Sequence, residues 1–206
     1  MAETPAGLVD EVIVVDNGST DGTGGAAQAA GAHVVSEPRR GYGQACAAGV
    51  NAASGELLVF MDGDGSFVPA ELPSLVGPIR DGAADLVLGT RMAGGMTPGA
   101  MPPHQLFGNK LVARLLQTIY GLPLTDLGPF RAIRRDRLLA LTMRELTYGW
   151  PVEMMVKAAR QKLRIIEVPV SYRPRSAGHS KVGGTLAGTL LATYRIFRVT
   201  ARHAFG

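Results

Sequence analysis

Leu57-Leu58-Val59-Phe60-Met61 runs into Asp62-Gly63-Asp64-Gly65, an apolar stretch stopped by two carboxylates either side of a glycine. Apolar residues without alternation predict a strand covered on both faces, as in the interior of a parallel sheet. The segments around it repeat the theme. Upstream, Glu11 to Asp16 (E-V-I-V-V-D) is another apolar run ending in an acid, followed by the turn Asn17-Gly18-Ser19-Thr20-Asp21-Gly22-Thr23. Ala26 to Ala30 then reads as a short helix and Ala32 to Ser36 as a strand, giving a βαβ unit. Pro38 to Gly43 (P-R-R-G-Y-G) is a basic, glycine-rich loop entering a helix over Gln44 to Ala53.

Downstream, Pro69 to Arg80 reads as a helix with proline in its first turn. Asp85 to Leu88 reads as a strand ending at Gly89-Thr90-Arg91. The rhythm then changes. Ala93 to Pro103, rich in Gly, Met and Pro, predicts a loop that could serve as a mobile lid. His104 to Tyr120 is a helix with a basic face, Thr125 to Arg135 a turn and strand, Val152 to Gln161 a helix, and Arg164 to Tyr172 a strand. A basic loop over Arg173 to Gly184 leads to a last helix over Thr185 to His203. Strands alternating with helices predict an α/β fold with a mainly parallel sheet flanked by helices.

The 206 residues suit one domain. No apolar run is long enough to span a bilayer, and the N-terminus lacks the basic and apolar regions of a secretion signal. Cys46 is the one cysteine, so no internal disulfide can form, which fits a reducing cytoplasm. Charge is polarised. Residues 1–90 hold three Arg against twelve acids, and residues 91–206 hold eighteen Lys and Arg against five acids, which sums to the overall +4. An acidic first half and a basic second half suit a protein that holds a cation in one part and phosphates in the other. The basic half lacks interleaved aromatics and any reader motif, which argues against nucleic acid.

Alternate residues at a strand end share a side, so Asp62 and Asp64 point into one crevice. Two adjacent carboxylates suit Mg²⁺ or Mn²⁺, hard cations that complete their shells with phosphate and water oxygens. The same residues also match the opening motif of haloacid-dehalogenase-type phosphatases. That motif normally opens its domain, however, and no later acid pair completes it. Asp16 lies after a strand, where open α/β sheets bind ligands, and can accept from a base or ribose, as can Asp21. An Asx-turn with a helix cap is compatible with that role. Arg39 and Arg40 are placed to approach a diphosphate. Leu186, Leu190, Tyr194 and Phe197 form an apolar stripe on the last helix beside Arg195, Arg198 and Arg202. That pattern fits either an interfacial helix on anionic lipid or a core helix with a solvated face.

V-V-D-N-G-S-T-D, E-P-R-R-G-Y-G, D-G-D-G and G-T-R, in this order, resemble the family 2 inverting glycosyltransferases of GT-A (Rossmann-like) fold. T-D-L-G-P-F-R-A-I-R-R and R-P-R-S-A-G-H-S-K are similar to elements of the dolichyl- and polyprenyl-phosphate sugar synthases, so the resemblance runs from about Glu11 to Lys181. It implies a metal-dependent hexosyltransferase moving a sugar from a GDP-mannose- or UDP-glucose-type donor to a polyprenyl phosphate with inversion. Asp16, Asn17, Asp21, Arg40 and Asp62 would bind the nucleotide sugar in a donor half, residues 1–90. Asp62 and Asp64 would hold Mg²⁺ or Mn²⁺. Arg131, Arg175, Ser180 and Lys181 would hold acceptor phosphate in residues 91–206.

A phosphate acceptor is already anionic and needs positioning rather than deprotonation. With a hydroxyl acceptor, Glu153 is the best candidate base, against the alternative of a carboxylate favoured at a helix N-terminus. Asp64 and Asp126 are the other catalytic candidates, Asp126 either directly or by orienting Arg131. The sequence departs from the family pattern in two places. No strand with a P-x-x-N-E turn precedes the V-V-D strand, which predicts a sheet lacking the family's first strand. The expectations that follow are a late start with loss of activity, re-pairing of the sheet, or a homodimer filling the gap. Pro129, next to Gly128, stiffens the turn before Arg131. A soluble phosphorylated acid or sugar is the alternative acceptor, and any membrane contact, at the cytoplasmic face, is expected to be peripheral.

Overall fold

The computed structural model describes residues 7–175; the expectations for Ser180, Lys181 and the helix over 185–203 lie outside the described residues. The chain runs β1 (Ile13–Asp16), α1 (Thr23–Ala29), β2 (His33–Ser36), α2 (Tyr42–Ala52) and β3 (Leu57–Phe60). A 3₁₀ turn (Pro69–Glu71) leads into α3 (Leu72–Arg80), then β4 (Leu86–Thr90) and α4 (Pro103–Tyr120). The described residues then form β5 (Arg131–Arg134), α5 (Arg135–Ala140), α6 (Trp150–Arg160) and β6 (Ile165–Pro169). The short α5 has no counterpart in the sequence reading, and β6 is shorter than the run Arg164 to Tyr172 suggests.

The apolar runs are explained by burial on both sides of a sheet ordered β3-β5-β4-β6. Along β4, Leu86 and Leu88 join one core with Leu116, Trp150 and Met155, while Val87 joins another with Phe67, Leu75 and Phe130. On α3, Leu72, Leu75, Val76 and Ile79 are buried at helical spacing, which docks the helix on β4 and β5. Trp150 at the start of α6 packs against Tyr42 and Phe60, with ring centres 6.4 and 5.0 Å away.

Two features refine the expected sheet. β4 and β6 are parallel, as are β1 and β2, but β5 runs antiparallel to both β3 and β4. Its first residue, Arg131, therefore lies opposite Phe60 and Leu88, near the carboxyl ends of both strands. The turn before β5 is thus delivered to the end of the sheet that carries Asp62.

The second feature is a break. β1 and β2 form a sheet of their own, and β1 shares no ladder with β3. The break falls beside the V-V-D strand, where the sequence predicts a missing strand, and the described residues do not re-pair across it. Other contacts connect the two sheets. α2 packs on β1, and the Glu11 carboxylate accepts hydrogen bonds from Ser54 N (2.7 Å), Ser54 Oγ (2.9 Å) and Gly55 N (3.1 Å). No described helix is long and apolar enough to cross a membrane.

Candidate active site

β1, β3, β4 and β6 all lead at their carboxyl ends into segments that carry candidate residues, and β5 begins there. Such an end is where open α/β sheets bind ligands. Asp62 is half-buried, and burial first and the neighbouring Asp64 second push its pKa up to about 6. The charges of Arg175, Arg91 and Arg131 act in the opposite direction. Asp64 accepts from Ser66 N (2.9 Å) and Ser66 Oγ, which folds the D-G-D-G-S turn, and pairs with Arg175 Nε at 3.1 Å. Two neighbouring carboxylates, with Asp64 raising the proton affinity of Asp62, are a donor set that fits a hard divalent cation. Among the described residues no group of three or more His, Cys, Asp or Glu forms a fuller metal site. The protein would supply two carboxylates, and phosphate or water oxygens the remaining ligands.

The Asn17 and Asp21 side chains build the loops of the donor side. Asn17 Nδ2 donates to the carbonyls of Glu37 (2.7 Å) and Arg39 (2.8 Å), and its Oδ1 accepts from Gly41 N (2.9 Å). Asn17 is thus a staple between the two donor-side loops, and its amide is occupied where the resemblance implies nucleotide contact. Asp21 receives Thr23 N (3.2 Å) and Thr23 Oγ1 (2.5 Å) at the start of α1. Asp16 accepts from Ser19 N (2.8 Å), the Asx-turn expected from its sequence. The exposed Arg40 lies over the same turn, with its Nε 3.8 Å from where a side chain on Gly18 would begin. Glu37 is held by Arg39, through a hydrogen bond and ion pair, at a pKa of about 2.

The acceptor side departs most from expectation. Arg131 is fully buried, with Nη1 donating to Pro151 O (3.0 Å) and Nη2 to Leu127 O (3.3 Å) and Gly128 O. Its direct contact with acceptor phosphate is corrected accordingly: the guanidinium fastens the L-G-P turn to α6 beneath the crevice. Asp126 does not orient Arg131. It is buried and pairs bidentately with Arg91, Nε to Oδ2 at 2.8 Å and Nη2 to Oδ1 at 2.7 Å. Burial opposes its ionisation, but Arg91 and the backbone N–H groups of Arg91 and Leu127 outweigh it, and its pKa is lowered.

Glu153 is buried as well. It accepts from Arg144 N (2.9 Å) and Glu145 N (2.7 Å) and pairs with Lys157 at 2.8 Å, and these partners lower its pKa despite burial. It serves as a helix-terminal anchor for residues 144–145, and the general-base assignment is corrected. The structure pairs Asp64 with Arg175, an ion pair that sequence reasoning did not anticipate.

Arg91 is the residue whose role sequence reasoning missed, although G-T-R was noticed as a motif. Its guanidinium lies 5.0 Å from the centre of the Tyr172 ring. Glu167 on β6 supports the pair from behind, accepting from Thr125 N (2.9 Å), Thr125 Oγ1 (2.8 Å) and Asp126 N (3.0 Å). Only the fold brings together a strand end, a turn and a second strand so distant in sequence. The expected lid is partly pinned here too: Tyr172 N donates to Gly95 O (3.2 Å) and Thr97 N to Tyr172 O (2.9 Å). Gly94 packs so tightly on Val170 that a side chain there would overlap its backbone.

The family model described as "Glycosyl transferase family 2" matches residues 4–141. An uncharacterised glycosyltransferase of Mycobacterium tuberculosis is 41% identical over 201 residues, 97% of this chain and 89% of that protein. The undecaprenyl-phosphate mannosyltransferase of Micrococcus luteus is 33% identical, covering 93% and 84%. Among solved structures, glucosyl-3-phosphoglycerate synthase of Mycobacterium tuberculosis is similar with a TM-score of 0.75 and 27% identity, over 97% of this chain and 71% of that one. That structure holds Mn²⁺, UDP and glucosyl-3-phosphoglycerate. The carboxylate pair at the end of β3, the cations gathered opposite it and these matches make the chain a member of glycosyl transferase family 2.

Proposed function

We propose that the protein transfers a hexose, with inversion, from a nucleotide-diphosphate sugar to a polyprenyl phosphate. The observation that carries this reading is the state of the candidate bases. Asp126 is bound bidentately by Arg91, and Glu153 by Lys157 and two backbone N–H groups, so both are buried and held ionised by structural partners. A site of this kind suits an acceptor that brings its own negative charge. Mg²⁺ or Mn²⁺ bound by Asp62 and Asp64 would neutralise charge on the diphosphate leaving group.

The remaining work falls to the chain's own groups. Asp16 would contact the nucleoside, and Arg40 the diphosphate. Arg175, now paired with Asp64, would turn its guanidinium to phosphate oxygens, and Arg91, held by Asp126 and stacked near Tyr172, would add positive charge beside them. Ser180 and Lys181 would complete the acceptor phosphate contacts. Holding the acceptor oxygen in line with the anomeric carbon would supply a large part of the rate enhancement.

The similarity to an undecaprenyl-phosphate mannosyltransferase supports a lipid phosphate. The similarity to a synthase holding glucosyl-3-phosphoglycerate favours a second reading, a soluble phosphorylated acid as acceptor. The test offers the full chain, with Mn²⁺ or Mg²⁺, radiolabelled UDP-glucose or GDP-mannose together with undecaprenyl phosphate or 3-phosphoglycerate. Label entering the organic phase is expected. Label only in an aqueous phosphoglycerate product would establish the second reading, and no transfer with any pair would sink both.

A further inference from the structure

We propose that Glu153 is a positioning residue for the donor, a role that rests on the donor reading of the P-R-R-G-Y-G loop. With Lys157 it braces residues 142–146 against that loop and so sets the affinity for a nucleoside diphosphate. Glu153 is buried in the first turn of α6, and its carboxylate grips backbone, accepting from Arg144 N and Glu145 N. Lys157, one turn on, completes the grip by pairing with Glu153 at 2.8 Å and donating to Thr142 O at 2.7 Å. A buried ion pair is weak evidence for a stabilising role, since apolar side chains of similar volume often serve as well, so a geometric task accounts for it better.

Backbone strain marks the same segment. Thr142 is a β-branched residue at φ 48°, in the left-handed region where such side chains are outliers. Strain of this kind persists only where the surroundings over-determine the backbone, and it gathers at functional sites. Here the contact from Lys157 holds the strained residue two positions after α5, just before the chain reaches the glycine loop.

The segment has two working edges. Its N–H groups at 144 and 145 meet Glu153, and its carbonyls at Glu145 and Leu146 meet residues 41–44. Leu146 O accepts from Gln44 N at 3.0 Å in the first turn of α2, where N–H groups have no partner within their own helix. A side chain on Gly41 would run into Leu146 O, and one on Gly43 into Glu145 O, so both glycines let the brace sit directly on the loop. Trp150, on the same turn of α6 as Glu153, packs on Tyr42 between them. From the other side Asn17 accepts from Gly41 N and donates to Arg39 O. The stretch that carries Arg40 is therefore clamped between Asn17 and the Glu153–Lys157 brace. Fixing a loop before its ligand arrives removes part of the ordering cost of binding, so a loosened brace should show as lost nucleotide affinity.

The full chain is titrated with UDP and with GDP in the presence of Mn²⁺ by calorimetry, and the melting temperature of each variant is recorded alongside. Glu153→Gln should weaken binding of the nucleotide that the wild type takes about tenfold. Lys157→Met leaves Glu153 its two N–H partners and should weaken it less, about threefold. Leu75→Ala, buried on α3, is the control for stability: it should lower the melting temperature but leave nucleotide affinity within about twofold of wild type. Glu153 and Gly43 act through one contact, so Glu153→Gln with Gly43→Ala should lose clearly less affinity than the product of the two single losses. Wild-type affinity in Glu153→Gln overturns the proposal, as does a double variant whose losses multiply in full. A loss in Leu75→Ala as large as that in Glu153→Gln overturns it too. Should Glu153→Gln fail to fold, Lys157→Met decides, and wild-type affinity there overturns the proposal. Absence of nucleotide binding by the wild type would instead remove the donor reading itself, and the proposal with it.

Discussion

Arg91 and Arg131 carry the same cation, yet Arg91 keeps a small exposed fraction between Asp126 and Tyr172 while Arg131 is fully buried. Arg131 occupies the first position of β5, opposite Phe60 and Leu88, and its guanidinium is spent on carbonyl oxygens. Arg131→Leu should therefore cost about 3 kcal/mol of stability in urea denaturation, because buried carbonyls lose their donors. Arg91→Lys keeps the charge but loses the bidentate fork on Asp126. Weaker binding of the phosphorylated acceptor is expected, with nucleotide binding retained, by calorimetry.

Asp126 gives a pH prediction. Its pKa is lowered by folding, so the Arg91 pair stabilises the protein above the unfolded value of about 3.9 and ceases to do so as pH falls through the lower folded value. Asp126→Asn should lower the melting temperature at neutral pH, and its difference from wild type should shrink in acid. Equal differences at all pH values would refute the assignment.

Most elements were legible in the chain, because strands such as β3 and β4 are apolar runs and helices such as α3 carry their own apolar spacing. Orientation was not legible. Nothing within Arg131 to Arg134 says that β5 runs against its neighbours, since a short strand covered on both faces reads the same in either direction. The consequence is functional, because only the antiparallel course brings the Leu127 to Phe130 turn to the end that holds Asp62. The P-R-R-G-Y-G loop has a similar hidden constraint. A side chain on Gly43 would collide with Glu145 O and the Leu146 backbone, and Gln44 N donates to Leu146 O at 3.0 Å. Gly43→Ala should cost about 1–3 kcal/mol in chemical denaturation, since backbone rather than a flexible side chain must move.

Across the molecule, the acidic first half and basic second half meet where Arg175 pairs with Asp64. A cation and a diphosphate arriving at Asp62 and Asp64 would have to displace that contact. Asp62→Asn and Asp64→Asn should each weaken Mn²⁺-dependent binding of UDP or GDP at least about tenfold, while chelation should do the same to wild type. Binding unaffected by either would remove the carboxylate pair from the donor site. The carboxylates, their place after a buried strand and the α/β alternation were readable from the chain alone, since local sequence decides which residues follow a strand. Which cation faces them was decided by the fold. Whether an arginine is buried or presented depends on strand direction and on partners such as Asp126 and Glu167, brought together only by long-range packing.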